Sequence, residues 1–468
     1  MVQMKIYNTA TRKKEDFKPI REGEVGIYSC GPTVYSSPHI GNMYAYICWD
    51  VLVRTLKYLG YKVNWVMNIT DVGHLTDDAD NGEDKMEKGS KREGLSAIEI
   101  AKKYELEFLE NLKLLNINNP DKMPRATECI EDQINLIKKI ENNGFTYKIN
   151  DGVYFDTSKF KDYGKFANLN LEKIKEGARI EVNEEKRNPT DFALWKFSPK
   201  DEKRQMEWDS PWGVGFPGWH IECTAMSTKF LGEKFDIHTG GEDHIPVHHT
   251  NEIAQAFGAF GENTVNYWMH NAFITFKGNK ISKSGGGLYT VKDLIDEGFD
   301  PMAFRYMVLG SHYRKGIEFS MENLKAAENA LRKLKTKILM DRLFKNVDDK
   351  GEVNVSYLDR FEEKISDDLA MPEALAVVWE LVKDEKLKKS IKLNTLHKMD
   401  TVLGLGLDKK VDKEEVPEEV LRLVEERNKA RGEKNWAESD RLREVIKEAG
   451  YLVEDSQNSC KIHRIRNF

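Results

Sequence analysis

Cysteine is scarce in this chain, with 5 among 468 residues, spread from Cys30 to Cys460. An odd and scattered set of this kind does not build a disulfide framework, which excludes the class of small disulfide-stapled domains. We therefore expect reduced thiols, some of which can bind a metal. Long apolar runs are also missing. None approaches the roughly 20 residues that a membrane-spanning helix needs, so we expect no membrane segment.

The first residues, MVQMKIYNTATRKKEDF, mix charged and polar side chains without an apolar stretch. We therefore expect no secretory leader and a cytoplasmic location. A strong excess of one charge is absent as well, because 72 basic and 78 acidic residues leave a formal net charge of −6. This balance does not exclude a polyanion as partner, since a local basic patch can bind one. Single cores stop growing near about 250 to 300 residues, so we expect several domains.

Apolar segments in the first part of the chain predict an α/β fold. EVGIYSC has the pattern of a strand, MYAYICWDVLVRTLKYLG that of a helix, and YKVNWVMNIT that of a second strand. This order is typical of a parallel sheet with crossover helices. A further helix is expected from about Ile98 to Leu115. The charged, aperiodic stretch from about Asp77 to Gly94 predicts a mobile surface loop.

The rest of the chain divides into three parts. A region at about 116–215 has its own strand signals, GVYFDTS and DFALWKFS, and is interpreted as an inserted module before strands return at FDIHTGG and NAFITF. Beyond about Ser320, lysine- and glutamate-rich amphipathic segments predict a helical bundle. We thus expect a Rossmann-like parallel-sheet domain at 1–320, the bundle at 321–408 and a small C-terminal domain at 409–468.

One candidate phosphate site is the segment Pro38-His39-Ile40-Gly41-Asn42, where the first strand leads into the first helix. Open parallel sheets bind ligands at this position, and the N–H groups of a helix N-terminus favour an anion. Gly41 permits close approach, and His39 and Asn42 are three apart, so both can face a phosphate. An ordinary helix start with a surface histidine is the alternative.

A second candidate is the segment GNKISKSGGG at 278–287, in which Lys280 and Lys283 are three apart between flexible glycines. Lysine is a compact point charge, and a closing loop can place it against the charge that develops in a transition state. A solvated basic turn is the alternative. Because the chain lacks a GxxxxGK[ST] loop, nucleotide binding is expected at these two segments.

Four side chains that suit zinc are scattered along the first part of the chain. Cys30 ends the first strand, Cys223 lies in a helix-like run, and the spacing of His248 and Glu252 places both on one helix face. Sulfur, nitrogen and carboxylate oxygen together suit zinc. Spacing alone does not identify such ligands, so buried structural thiols are the alternative, and His249 competes with His248.

The two phosphate segments together resemble the HIGH and KMSKS signatures of class I aminoacyl-tRNA synthetases. Within that class, nearly the whole chain resembles the cysteinyl-tRNA synthetases, through YSCGPTVY, NITDV, GWHIECTAM, FDIHTGG, PVHHTNEIAQ and the helical C-terminal half. The resemblance implies activation of L-cysteine by ATP to cysteinyl adenylate and its transfer to tRNA(Cys). It also implies Mg²⁺ with the ATP, and we expect a monomer.

The resemblance implies roles for individual residues. One Zn²⁺ per chain would be bound by Cys30, Cys223, His248 and Glu252, since the family's ligand is the first histidine of the pair. His39, Asn42, Lys280 and Lys283 would be catalytic and would bind ATP together with Gly41 and Asp243. Thr33, Thr70, Trp219 and His238 would surround the cysteine. A structural role is the alternative for these last four and for Asp243, and Trp219 in particular could be core packing.

Zinc would also explain selectivity. A pocket that works by shape separates close analogues by only about 1 to 3 kcal/mol, whereas a hydroxyl cannot match a thiolate on zinc. We therefore expect no editing site. The resemblance further implies a stem-contact region at about 255–320 and anticodon binding by the C-terminal domain. Candidate contacts there are Trp436, Lys461, Arg464 and Arg466.

The chain departs from the commonest family pattern at a few positions. Asn42 replaces the last histidine of the first signature and Ile281 replaces a methionine, but neither change removes a required charge. The tail SQNSCKIHR lacks a tryptophan that is frequent in the family. Two rivals remain: a related ligase that joins cysteine to an amino sugar, and a non-catalytic synthetase-like RNA-binding protein. The C-terminal unit argues against the first, and Lys280 and Lys283 argue against the second.

Overall fold

The computed structural model describes residues 2–74, 84–169, 184–199, 203–276, 279–280, 288–343, 351–407, 418–456 and 459–464. Its strands are β1 (Lys5–Asn8), β2 (Lys13–Asp16), β3 (Glu24–Ser29), β4 (Lys62–Met67), β5 (Thr146–Ile149), β6 (Gly152–Phe155), β7 (Phe192–Phe197), β8 (Gly215–Pro217), β9 (Phe235–Gly241), β10 (Val265–Asn271), β11 (Ile274–Phe276), β12 (Asn279–Lys280), β13 (Ile317–Glu318), β14 (Tyr451–Ser456) and β15 (Ser459–Arg464).

The helices of the first half are α1 (Ile40–Tyr58), α2 (Lys85–Glu93), α3 (Ala97–Leu114), α4 (Ile130–Asn142), α5 (Trp219–Leu231) and α6 (Thr250–Phe260). Those that follow are α7 (Val291–Asp296), α8 (Pro301–Leu309), α9 (Met321–Leu343), α10 (Val355–Ser366), α11 (Met371–Lys383), α12 (Lys389–Leu403), α13 (Glu418–Gly432) and α14 (Trp436–Glu448). No helix in the described ranges is long and apolar enough to cross a membrane.

A four-stranded parallel sheet forms the centre of the first part, in the order β10-β9-β3-β4. Tyr28 on β3 lies beside Val66 on one neighbour and His238 on the other, and His238 lies beside Trp268. Alternate buried apolar residues and the crossover helix α1 produce this arrangement, because parallel strands need a long connection. The predicted α/β class with a Rossmann-like parallel sheet is confirmed.

The region between β4 and β9 carries a separate antiparallel sheet, in the order β5-β6-β7-β8. Its strand β7 is buried along most of its length and includes Trp195, which is 0% exposed. The last strand of this sheet is β8, and α5 follows it in the chain. The antiparallel sheet therefore leads the chain back to the edge of the parallel sheet where Cys223 lies.

Two local predictions differ from the structure. Residues 75–83 lie outside the described ranges, but Lys85–Glu93 is a helix rather than a loop, because Asp84 caps it by accepting hydrogen bonds from the N–H groups of Met86 and Glu87 at 2.7 and 3.0 Å. The helix ends at Gly94, which has a φ of 69°. The NAFITF segment is also split, since β10 ends at Asn271 and β11 begins at Ile274.

The helical second half packs against α1 through a buried ion pair. Arg305 is fully buried, and its guanidinium donates to Asp50 of α1 at 2.6 Å and to the carbonyl of Leu403 at 2.8 Å. Because α1 begins at the predicted phosphate segment, this contact fixes the helix that carries that segment. In the C-terminal part, α13, α14 and β14 share a small apolar core, which includes Val424 and Ile446.

Candidate functional site

A cavity of about 680 Å³ opens where the strands of the parallel sheet end. Cys30 follows β3, Gly240 and Gly241 close β9, Asn271 ends β10, and Thr70 lies shortly after β4; all of them line it. This is the edge at which open parallel sheets bind ligands. We call the deep end, with Cys30, Cys223, His248 and Glu252, the floor, and the outer end, with His39, Gly41, Asn42 and Thr290, the mouth.

The mouth is built on the N-terminus of α1. His39 caps this helix: its Nδ1 accepts from the N–H of Asn42 at 3.3 Å, and its own N–H donates to Asn42 Oδ1 at 3.1 Å. Because Nδ1 accepts, the proton of the neutral imidazole lies on Nε2, where it can be donated to a ligand. A Cβ at Gly41 would lie 2.9 Å from the His39 ring, so glycine keeps that ring in place.

The mouth also contacts the residues that follow the second predicted phosphate segment. Ile40 N donates to the carbonyl of Tyr289 at 2.8 Å, and His39 pairs with Thr290 in a β-bridge. Leu288 and Thr290 line the same cavity. Lys280 lies in β12, which pairs with β11, but only its backbone is described, and Lys283 lies outside the described residues.

The floor gathers the predicted zinc ligands from distant parts of the chain. Ligand atoms of Cys30, His248, His249 and Glu252 all lie within 4.8 Å of one another. Cys223 is not a member of this group; it lines the same cavity, its Sγ lies 3.9 Å from Asn68 Oδ1, and its thiol interacts with Cys30 and His248. His248 lies in a turn of π-helix (Ile245–His249) that runs directly into α6, and its Nε2 is 3.1 Å from Glu252 Oε1.

His249 joins the floor alongside His248. Its Nε2 is 3.4 Å from Cys30 Sγ and 3.8 Å from Glu252 Oε1, while its Nδ1 is 2.7 Å from His270 Nε2. His248 in turn has its Nδ1 2.9 Å from His220 Nδ1. Each histidine therefore has one ring nitrogen toward the acidic groups and the other on a second histidine, so the preference for His248 stays a prediction.

The donor set of the floor fits a zinc ion. Two sulfurs, imidazole nitrogen and a carboxylate are the ligands that zinc takes in proteins. Glu252 is only 3% exposed, and its Oε1, although 3.1 Å from His248 Nε2, accepts no well-directed hydrogen bond from any described residue. Leaving such an oxygen unpaired costs free energy, and a bound cation would satisfy it.

The charges of the floor are tuned by their neighbours. A hydrogen bond from Cys30 lowers the pKa of Cys223 to about 6, against the effect of burial, and burial raises the pKa of Cys30 itself. Burial opposes ionisation of Glu252, yet the positive charges of His238 and His248 hold its pKa well below its ordinary value. The floor thus favours the ionised forms of Cys223 and Glu252, and these negative groups are suited to bind a cation.

The predicted cysteine-site residues divide into two groups. Thr33, Thr70 and Trp219 line the cavity, and so does Asp243 of the predicted ATP set, which is exposed. His238 instead lies behind the floor: its Nε2 is 2.9 Å from Glu252 Oε2, and its ring stacks on Trp268 with centroids 4.5 Å apart. Among the described residues, His238 therefore supports a predicted ligand rather than forming a cavity wall.

Sequence reasoning missed a second layer of buried polar residues. Glu222 is 0% exposed, accepts from the Thr70 hydroxyl at 2.9 Å and lies 2.6 Å from His74 Nε2. His220 contacts His248, as described above. The available signal was the segment HIEC, in which a histidine and a glutamate precede Cys223 in the first turns of a helix. Buried charge in such a helix indicates a functional network.

Comparison with known proteins identifies the family. The model of the family described as "tRNA synthetases class I (C) catalytic domain" matches residues 16–329, and that of the "Cysteinyl-tRNA ligase anticodon binding domain" matches residues 413–460. The chain belongs to the cysteine–tRNA ligase family. Members of this family are enzymes, and they are class I aminoacyl-tRNA synthetases.

Relatives agree over the full length of the chain. "Cysteine--tRNA ligase 1" of Burkholderia lata is 48% identical, with 98% of this chain and 96% of that protein covered. "Cysteine--tRNA ligase" of Treponema denticola is 45% identical, with 97% and 98% covered. Among solved structures, methionyl-tRNA synthetase of Mycobacterium tuberculosis bound by methionyl-adenylate is similar, with a TM-score of 0.54, 16% identity and coverage of 81% of this chain and 89% of that chain. That likeness shows the fold.

Proposed function

We propose that this chain uses ATP to activate L-cysteine and transfers the cysteinyl group to tRNA(Cys), with a zinc ion that recognises the cysteine thiolate. The observation that carries the proposal is the single cavity between floor and mouth. Residues suited to bind a thiol through zinc lie at one end of it, and a helix N-terminus suited to phosphate lies at the other. A cysteine bound with its sulfur at the floor would have its reacting carboxylate on the side toward the mouth.

The zinc ion would be held by Cys30, Cys223, His248 and Glu252. When bound, it would favour the thiolate of cysteine over the hydroxyl of serine. His238 and His220 orient Glu252 and His248 through contacts of 2.9 Å each, which fixes the rotamers of these ligands before a metal or substrate arrives. Selectivity would thus be supplied at the binding step, without an editing reaction.

In the proposed activation step, a carboxylate oxygen of cysteine attacks the α-phosphorus of ATP, the bond to the bridging oxygen breaks, and pyrophosphate leaves. No protein nucleophile takes part. His39 can donate from Nε2, Asn42 extends the polar surface of the mouth, and Lys280 and Lys283 would neutralise phosphate charge that Mg²⁺ does not. Gly41 and Asp243 would complete the ATP site.

In the transfer step, the terminal ribose 2′-hydroxyl of the tRNA would attack the carbonyl carbon of the adenylate, the bond to the phosphate oxygen would break, and AMP would leave, as expected for class I. We propose that residues 409–468 bind the anticodon, that the bundle at 321–408 lies along the tRNA, and that residues of about 255–320 contact the acceptor stem. Trp436 supports this arrangement, because it is 57% exposed and can stack on an unpaired base. Lys461 and Arg464 lie in β15, and Arg466 lies outside the described residues. Since charged tRNA is used by ribosomes, we place the protein in the cytoplasm. We also propose that it is a monomer.

Three measurements on the purified protein test the proposal. We expect about one zinc per chain, cysteine-dependent exchange of pyrophosphate into ATP, and charging of tRNA(Cys) with labelled cysteine. Serine at equal concentration should support neither reaction. Exchange without charging, together with cysteine transfer to an amino sugar, would favour the related ligase instead. A protein that binds tRNA but shows no exchange would be the non-catalytic alternative.

A further inference from the structure

A lysine that the proposed function does not use lies in the wall of the cavity. Lys85, the first residue of α2, has its Nζ 4.8 Å from the centroid of the Trp219 ring, and both residues line the cavity together with Thr70 and Cys223. The same ring reaches the floor, because the rings of Trp219 and His248 have centroids 4.8 Å apart. Trp219 therefore contacts both the Lys85 ammonium and a predicted zinc ligand.

The backbone of Lys85 is held firmly. Its N–H donates to the carbonyl of His74 at 2.8 Å, and the His74 ring is bound to Glu222 in the layer behind the floor. The preceding residue, Asp84, caps α2 and forms a buried ion pair with Arg204. A Cβ at Gly73 would lie 2.2 Å from the Asp84 carboxylate, so glycine is needed for this close approach. Lys85 thus has a fixed starting point at the cavity wall.

The ammonium group of Lys85 has no acidic partner among the described residues, and it lies over the Trp219 ring. Arg92, another cation that lines the cavity, differs, because its guanidinium donates to Glu93 and to the carbonyl of Tyr35. A half-buried ammonium over an aromatic face has lost part of its hydration. Such a group is suited to bind an anion that enters the cavity.

We propose that Lys85 binds the carboxylate of the amino-acid substrate. This inference rests on the proposed function and names a contact for its substrate. In cysteine only three bonds separate the sulfur from the carboxyl carbon, so a thiol held at the floor leaves the carboxylate beside Trp219, within reach of a flexible lysine. An ammonium on one carboxylate oxygen leaves the other to face the α-phosphorus, and such alignment is a main source of catalysis in this kind of reaction.

The test compares two ligands that differ in the carboxylate alone. Dissociation constants of cysteine and of cysteamine, which keeps the thiol and amine, are measured by calorimetry on the zinc-loaded full-length protein without ATP. For Lys85→Met we expect cysteine to bind about 10- to 100-fold more weakly, the usual effect of losing a hydrogen bond to a charged group. Cysteamine binding should change less than about twofold, and Lys85→Arg should recover part of the cysteine affinity.

Lys91→Met is the matched control, because Lys91 is exposed on the same helix and does not line the cavity. It should leave both constants unchanged. An equal loss for cysteine and cysteamine in Lys85→Met would overturn the proposal, since it would mean that Lys85 acts only through Trp219. An unchanged cysteine constant would overturn it too. Failure of the proposed function would look different, because the wild-type protein would then bind neither thiol.

Discussion

The floor and the mouth of one cavity are built in opposite ways. At the floor, Cys223 is 2% and Glu252 3% exposed, and their neighbours come from separate elements, including β9 and α6. At the mouth, Asn42 is exposed and its main contact is with His39, three residues away. A floor held by many long-range contacts is rigid before a ligand binds, whereas the mouth is one helical turn that is bridged to Thr290. Substitutions at the floor should therefore affect several groups at once, and those at the mouth only one step.

The largest expected effect comes from breaking the floor. Cys223→Ser should remove the zinc and reduce cysteine activation by more than about 1,000-fold, well beyond the roughly 10- to 100-fold that loss of an outer partner of a metal ligand costs. ATP affinity should stay near the wild-type value, because the mouth is built separately. Metal content, pyrophosphate exchange and ATP binding are the three readouts.

Cys129→Ser is the matched control for this variant. Cys129 is also a buried thiol, 2% exposed, but it lies 3.8 Å from Lys229 Nζ and does not line the cavity. It should keep its zinc and its exchange activity. Retention of cysteine activation by zinc-free Cys223→Ser protein would contradict the role of the floor.

The second prediction concerns the mouth. Lys283→Ala should slow adenylate formation by about 100-fold, the typical cost of removing a group that stabilises transition-state charge. Cysteine affinity and zinc content should not change. Lys292→Ala, an exposed lysine on the following helix, is the control. A pyrophosphate-exchange rate in Lys283→Ala equal to that of wild type would remove this lysine from the mechanism.

Helices and strands could be predicted from the sequence where local apolar patterns determine them. The helix predicted from MYAYICWDVLVRTLKYLG is observed at Ile40–Tyr58, and the strand EVGIYSC at Glu24–Ser29, since apolar periodicity reports which face is buried. Helix Lys85–Glu93 was missed because its apolar content is small. Its stability comes from Asp84 and its ion pair with Arg204, a residue far away in sequence. No window of sequence contains that contact.

The candidate site shows the same division. The helix start at His39 could be found from a short segment, because a cap is a local structure. Cys30 and Cys223 meet only because β3 and the start of α5 converge at one edge of the parallel sheet, so spacing could not pair them without the family resemblance. His238 contacts Glu252 through Nε2, which alternation along a strand does not reveal, and its place in the cysteine site stays a prediction.

The third prediction tests whether the contact of His238 with Glu252 supports zinc binding at the floor. His238→Leu removes the nitrogen 2.9 Å from Glu252 Oε2 and should weaken zinc binding by about 10- to 100-fold. His238→Gln, which can place an amide N–H at a similar reach, should keep most of the affinity. Competition with a chelator gives both constants. Equal losses in the two variants would mean that ring packing on Trp268 matters rather than the hydrogen bond.

The smallest expected effect concerns Asp71 and tests how far the buried region around the floor extends. Asp71 follows Thr70 and is 6% exposed; burial raises its pKa to about 6 although Thr127 donates two hydrogen bonds to it. Between about pH 4 and pH 6 the folded state therefore holds this proton more tightly than the unfolded state, so stability falls as pH rises through this window.

Asp71→Asn cannot ionise, and it should lack this loss of stability. Relative to wild type, the variant should gain about 1 to 3 kcal/mol of unfolding free energy between pH 4 and pH 7, from the size of the pKa shift. Urea titrations at the two pH values measure this, with Asp209→Asn as an exposed control. Parallel pH curves for wild type and Asp71→Asn would mean that water reaches Asp71, and that the dry region of the cavity stops at Thr70. If the two pH curves diverge, Asp71 is desolvated. The desolvated region then includes the segment that joins β4 to the inserted module.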